Sequence, residues 1–223
     1  MEAIMMAKQA GDVGALVGHL SGGSCAAQAA SALADITSIS YDGRQQRAAD
    51  AGAVEALVGL INGAHQDPAV LSSAAEALGS ICDCASAGIQ QRALDACAVE
   101  ALVGLISSGQ QDPAVLCSAA EALDKICNAG AGTKQRAADA GAVEALVGLI
   151  SGGQRDPAVL SNAAWGLGQI CDSAGAGIKQ RAIAAGAMAA LARLIISSQE
   201  EPDVMSSAAW GLGHICAADQ QVS

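Results

Sequence analysis

Asp156-Pro157-Ala158-Val159-Leu160-Ser161-Asn162-Ala163-Ala164-Trp165-Gly166-Leu167-Gly168-Gln169-Ile170-Cys171 is the stretch that decides the fold of this chain. Asp followed by Pro is a helix start: the carboxylate accepts from the free amides, and Pro fits the first helical position. Leu160, Ala163, Ala164, Leu167 and Cys171 then recur at helical spacing and form one apolar stripe. Ser161, Asn162, Trp165 and Gln169 fall on the opposite side. The spacing predicts a helix with a large aromatic turned away from its core.

The same stretch recurs with small changes. Pro68, Pro113, Pro157 and Pro202 are spaced by 45, 44 and 45 residues. Arg47, Arg92, Arg136 and Arg181 keep those steps, as do Val54, Val99, Val143 and Met188. A fainter first copy carries Val13 and Leu33, and is shortened between Leu20 and Leu33. Five copies result, at about 1–42, 43–87, 88–131, 132–176 and 177–223, forming one domain over 1–223.

Each full copy reads as three helices. The first is short, as in Gln90–Asp95, and ends near Gly52, Cys97, Gly141 or Gly186. The second runs as in Val54–Ile61, and the third starts at Asp-Pro. Glu201 replaces that Asp in the last copy as a weaker cap, and Ser24 is the candidate cap in the first. No strand-like alternation occurs, so the fold class is all-α. Stacked copies share a continuous core that no single copy can form.

Composition agrees with thin, local layers. Apolar residues reach 52%, much of it Ala, while aromatics are 1%. The net charge of −11 disfavours nucleic acid and anionic membrane surfaces, because phosphate binding needs clustered Lys and Arg. No run of 18 apolar residues occurs, and the first six residues lack a basic leader segment. Cys82, Cys127, Cys171 and Cys216 share one repeat position after an Ile, which makes them core residues rather than a disulfide framework. The expected location is an intracellular reducing compartment, cytoplasmic or nuclear.

The pattern Gln-Arg-Ala-x-Asp-Ala-Gly-Ala-Val-x-Ala-Leu-Val-x-Leu-Ile, followed by Ala-Ala-Trp-Gly-Leu-Gly-x-Ile-Cys, resembles the armadillo repeat, in the style of importin alpha and the vacuolar armadillo proteins. The resemblance covers essentially the whole chain. It implies a right-handed superhelix whose third helices line a concave groove for extended peptides. The near-identical copies at 54–61 and 143–150 also suit a consensus-style design.

In importin alpha a Trp, and an Asn one turn later, line that groove. The Trp place here is Ser31, Glu76, Glu121, Trp165 and Trp210; the Asn place is Asp35, Ser80, Lys125, Gln169 and His214. No copy holds the full pair. The candidate partner-binding residues are therefore Trp165, Trp210, Gln169, His214, Glu76, Glu121, Ser80, Lys125, Ser161 and Asn162. Two readings stand for the tryptophans: a ladder for alkyl-cation stems or apolar side chains, or rings covered by another copy or a chain end. Glu76 and Glu121 suit a basic ligand but need none as solvated carboxylates. The repeated arginines read as structural, donating to helix ends within or between copies.

Catalysis has little support. His19, His65 and His214 lie in distant copies, and Cys82-Asp83-Cys84 has no second pair to complete a zinc site. Gly166-Leu167-Gly168 and Gly211-Leu212-Gly213 follow no strand, so a dinucleotide-binding turn is excluded by context. Close approach of a neighbouring helix or ligand beside the Trp accounts for them. The expected protein is not an enzyme and takes no cofactor or metal. Its expected partner is a protein, bound as an extended, basic segment, without nucleic acid or membrane insertion. The alternative is a permanent structural or linking subunit of a larger assembly.

Overall fold

The computed structural model describes residues 2–20, 25–38, 43–63, 67–83, 86–109, 112–128, 130–172, 175–198 and 201–217. Within them the chain forms fifteen helices and no strand. The first three are α1 (Glu2–Ala10), α2 (Val13–Leu20) and α3 (Ala26–Thr37). Next come α4 (Arg44–Asp50), α5 (Ala53–Asn62) and α6 (Pro68–Cys82), then α7 (Ala87–Asp95), α8 (Ala98–Ser107) and α9 (Pro113–Cys127). The chain continues with α10 (Ala131–Asp139), α11 (Ala142–Ser151) and α12 (Pro157–Cys171), and ends with α13 (Ala176–Ala184), α14 (Ala187–Ser197) and α15 (Pro202–Cys216). No single helix is long and apolar enough to cross a membrane.

Local chemistry explains the boundaries. Asp67, Asp112 and Asp156 accept from the backbone amides of Ala69, Ala114 and Ala158 at 2.9, 2.9 and 3.0 Å. Glu201 makes no such bond, in keeping with its reading as a weaker cap. Ser24 lies outside the described residues; the residue before α3 is Cys25, which makes no side-chain cap bond. At the far ends of the third helices, a side chain from the first helix of the same copy takes up free carbonyls. Gln45 Nε2 donates to the Ser80 and Asp83 carbonyls at 2.9 and 3.0 Å. Lys134 Nζ donates to Asp172 at 2.8 Å, and Lys179 Nζ to Ala217 at 3.0 Å.

Between the first and second helices the backbone passes through the left-handed region. Gly52, Gly141 and Gly186 do so at φ 82°, 88° and 84°, whereas Cys97 does so at 59° with a side chain. That conformation costs an L-residue about 1–2 kcal/mol, partly offset by glycine's larger unfolded-state entropy. Cys97→Gly is therefore expected to stabilise the fold by up to about 1 kcal/mol. A urea midpoint equal to or below the parent's contradicts this.

Third helices form the spine. The packing α3–α6–α9–α12–α15 runs side by side down the chain, and each also rests on the second helix of its own copy. Leu160, Ala163, Ala164, Leu167 and Cys171 are buried, as their stripe predicts. Val159, Gly166, Gly168 and Ile170 are buried too. The apolar side is wider than one stripe because α12 is flanked on both sides by neighbouring third helices.

Three of the repeated arginines work between copies. Arg92 donates to the Ala49 carbonyl near the end of α4. Arg136 pairs with Glu100, and Arg181 Nε with Glu144 at 2.6 Å. In each case the arginine of one copy reaches the preceding copy. The Arg136 and Arg181 pairs are substantially exposed, so solvent screens them and they add little to stability. Their main effect is to set the register between copies.

Candidate functional site

The third helices leave one row of positions open. Ser31, Glu76, Glu121 and Trp165 are exposed, and Trp210 is half-buried. One turn further, Asp35 is exposed, Lys125 and His214 are half-buried, and Ser80 and Gln169 are buried. The row changes character along the chain: acidic on α6 and α9, aromatic on α12 and α15.

The two indoles do not form an open ladder. Trp165 and Trp210 stack on each other, with ring centroids 4.0 Å apart and planes 12° from parallel. Trp210 is bracketed further by His214, whose ring lies 4.3 Å away and whose Nδ1 is 3.1 Å from Asp172 Oδ1. Trp165 keeps 41% of its surface exposed. Of the two readings open for the pair, self-covering holds for their facing surfaces. Of the two, Trp165 offers the broader aromatic surface to solvent.

Glycines permit this stack. A Cβ on Gly168 would lie 2.4 Å from Trp210 Cζ3 and 2.7 Å from Gly211 Cα. A Cβ on Gly211 would lie 2.8 Å from the Ala164 carbonyl oxygen. Close helix approach is thus the reason for these two. Gly166 has only ordinary contacts, and Gly213 has no neighbour within 4 Å.

Several candidate side chains have partners inside the chain. Gln169 Nε2 donates to Asn128 Oδ1 at 2.8 Å. Ser161 and Ser207 hydroxyls share a bond of 2.9 Å, and Asn162 Nδ2 donates to Cys117 Sγ at 3.1 Å. These bonds span adjacent copies and align the third helices. Lys125 pairs with Glu121 at 2.8 Å, one turn away on α9.

Sequence reasoning missed Asp124. It stands where Gly79, Gly168 and Gly213 stand in other copies, and that substitution was the available signal. It takes a hydrogen bond from the Trp165 side chain, while its Oδ1 is buried without a partner. Burial, then the neighbouring Glu121, raise its pKa to about 6; Lys125 and the Trp165 hydrogen bond oppose the rise, and Asp83 adds to it. The exposed indole is therefore bordered by a carboxyl that holds its proton unusually tightly. A nearby cation would favour ionisation.

Among the described residues no other cluster competes with this one. An open cleft of about 620 Å³ lies between α8 and α11, but the titratable group lining it, Glu144, already holds Arg181. Among the described residues no three His, Cys, Asp or Glu side chains converge to hold a metal. Cys84 and His65 lie outside the described residues. Burial pushes the thiols of Cys82 and Cys127 up to about 12, which leaves them unreactive core side chains.

Comparison with known proteins places this geometry in a family. The model of the armadillo/beta-catenin-like repeat matches residues 44–83 and 131–172. An engineered protein of known crystal structure is 32% identical, with a TM-score of 0.85 over 97% of this chain and 86% of its own. The chain belongs to the armadillo-repeat family. Two designed armadillo repeat proteins align over 95% of this chain and 85% of theirs, each with a TM-score of 0.79, at 26% and 27% identity. The second of these was solved in complex with the peptide (KR)4. No curated protein sequence matches the chain significantly. Within this armadillo array, the stacked tryptophans lie in copies four and five, and Asp124 is in copy three.

Proposed function

We propose that this armadillo array is a non-enzymatic interaction scaffold that binds an extended segment of a partner protein along its third-helix face. The observation that carries this reading is the exposed Trp165 ring beside Asp124, with the exposed Glu121 at the matching position of the adjoining third helix. A lysine or arginine of the bound segment lays its alkyl stem on the open indole face and its cationic head beside the carboxylates. Glu76 on α6 and Asp83 just past its end extend the negative border. Ser161, Asn162 and Gln169 keep the third helices aligned, while Trp210 and His214 hold Trp165 in place from behind. The complex of a designed armadillo repeat protein with (KR)4 supports a basic segment as the partner class.

The test is calorimetric titration with an alternating Lys-Arg peptide and with an apolar extended peptide of equal length. Trp165→Ala is expected to weaken binding of the basic peptide by more than about 1 kcal/mol, as expected for a contact-centre aromatic. Far-ultraviolet circular dichroism should remain that of the parent. Added salt should weaken binding, because the border charges are solvent-facing. Equal affinity of parent and Trp165→Ala, or binding of the apolar peptide alone, overturns this assignment.

A further inference from the structure

Neighbouring third helices are joined near their starts by a ladder of side-chain bonds. Ser72 bonds Ser118 at 3.0 Å, Asn162 donates to Cys117 at 3.1 Å, and Ser161 bonds Ser207 at 2.9 Å. Each rung joins one repeat position to the next position of the following copy. Between copies one and two that rung falls on Ala27 and Ser73. Ala27 has no side-chain polar atom to give Ser73, and a pocket of about 310 Å³ opens there. Ile4, Ala27 and Ala32 form its apolar lining, Met5 walls it from α1, and Ser31 and Ser73 supply hydroxyls.

The pocket opens onto the third-helix face. Ser31 is exposed and holds the row position that Trp165 holds in copy four. Gln28, exposed one turn before Ser31, also lines the pocket and can both donate and accept. An extended segment brings unpaired backbone N–H and C=O groups that need such partners. Charge sets which side chain enters. Asp35, the row's acid in copy one, is already held by Lys8, whose side chain also lines the pocket. A basic side chain would meet Lys8 and find its acid taken. An apolar side chain leaves water for Ile4, Ala27, Ala32 and Met5. Met5 is 54% exposed and unbranched, so it can fold over what enters.

We propose that this pocket seats an apolar side chain of the same partner segment that lays its cation on Trp165. The proposal rests on the peptide reading above and adds a second, apolar requirement to it. The pocket lies between α3 and α6, two to three helix spacings from α12. At about 8–10 Å per spacing the separation is about 16–30 Å. An extended chain covers that in about five to nine residues. The partner therefore carries a leucine-like residue at that distance from its basic residue.

Calorimetric titration of the full chain tests it, with a Lys-Arg peptide extended by a Gly-Ser spacer and one leucine. The leucine is placed at each of these spacings, on either side, and the control carries serine instead. At the best spacing the leucine peptide should bind about tenfold more tightly than its control. Ala27→Leu fills the pocket, and Met5→Glu sets a charge on its exposed wall. Each should remove the tenfold difference, while the control binds as it does to the parent. Trp165→Ala should weaken both peptides and keep their ratio. No gain from leucine at any spacing, with the control still binding, overturns the pocket and leaves the peptide reading standing. A gain retained in Ala27→Leu or in Met5→Glu overturns it as well, because the leucine then sits elsewhere. A control that does not bind the parent sinks the peptide reading, and this proposal falls with it.

Discussion

Replacing Gly168 with alanine is expected to destabilise the protein by about 1–3 kcal/mol, the usual cost of overpacking a tight core. The same change at Gly213, the matching residue of the next copy, is expected to stabilise it by about 0.5–1 kcal/mol. Both glycines are helical, so both gain from alanine's higher helix propensity. At position 168 the new methyl would sit 2.4 Å from Trp210 and 2.7 Å from the Gly211 backbone, well inside the ordinary carbon–carbon separation of about 3.5–4.0 Å. A ring can tilt away, but the Gly211 backbone moves only if α15 moves with it. The steric term therefore outweighs propensity. At position 213 no atom lies within 4 Å, and propensity acts alone. Urea midpoints in dilute solution read the sign, and tryptophan emission reads whether the indole stack opens. A Gly168→Ala variant as stable as the parent with unchanged emission would show that α12 and α15 are not in this close contact.

Asp124→Asn is expected to stabilise the protein near neutral pH and to have little effect below pH 4. The folded-state pKa is about 6, above the ordinary aspartate value of 3.8, so folding favours the protonated carboxyl. Its penalty is absent below pH 3.8, grows between 3.8 and about 6, and is full above that range. The shift corresponds to about 2 kcal/mol once its part exposure is discounted. In a chain of this size that is roughly 4–8 °C in Tm. Asparagine keeps an oxygen for the Trp165 side chain and carries no charge. Other carboxylates act in the opposite sense. Glu144 is pulled below its usual value: burial pushes it up, but the Arg181 hydrogen bond, its own backbone amide and the Arg181 charge outweigh that. Its contribution is lost as pH falls, which makes the difference between Asp124→Asn and the parent the informative quantity. A difference that does not vary between pH 4 and pH 7 refutes the raised pKa. Bound basic peptide should shrink the difference, because a cation beside Asp124 removes the penalty.

Much of the fold was legible in the chain itself because repetition multiplies weak signals. One Asp-Pro is a suggestion of a helix start; three at a fixed step, each found capping, specify the third helices. The left-handed glycines at 52, 141 and 186 and the apolar stripe around Leu167 have the same character, since each depends on residues a few places apart on one helix. The inter-copy role of Arg92, Arg136 and Arg181 was visible as repetition, but the preceding copy as their target was not.

Facts that depend on two copies meeting were beyond the sequence. Gly168 and Gly213 occupy one repeat position, yet only the first faces another helix. Gln169 reads as an available amide until Asn128, in the preceding copy, is found to take its hydrogen bond. Trp165 and Trp210 read as a ladder until the Gly168–Gly211 contact brings their rings together. Asp124 looks like a solvated acid until Trp165 closes over it. Local spacing on one helix determined where each side chain points. The tertiary structure decided what each one meets, because burial, stacking and proton affinity depend on the neighbour rather than on the residue.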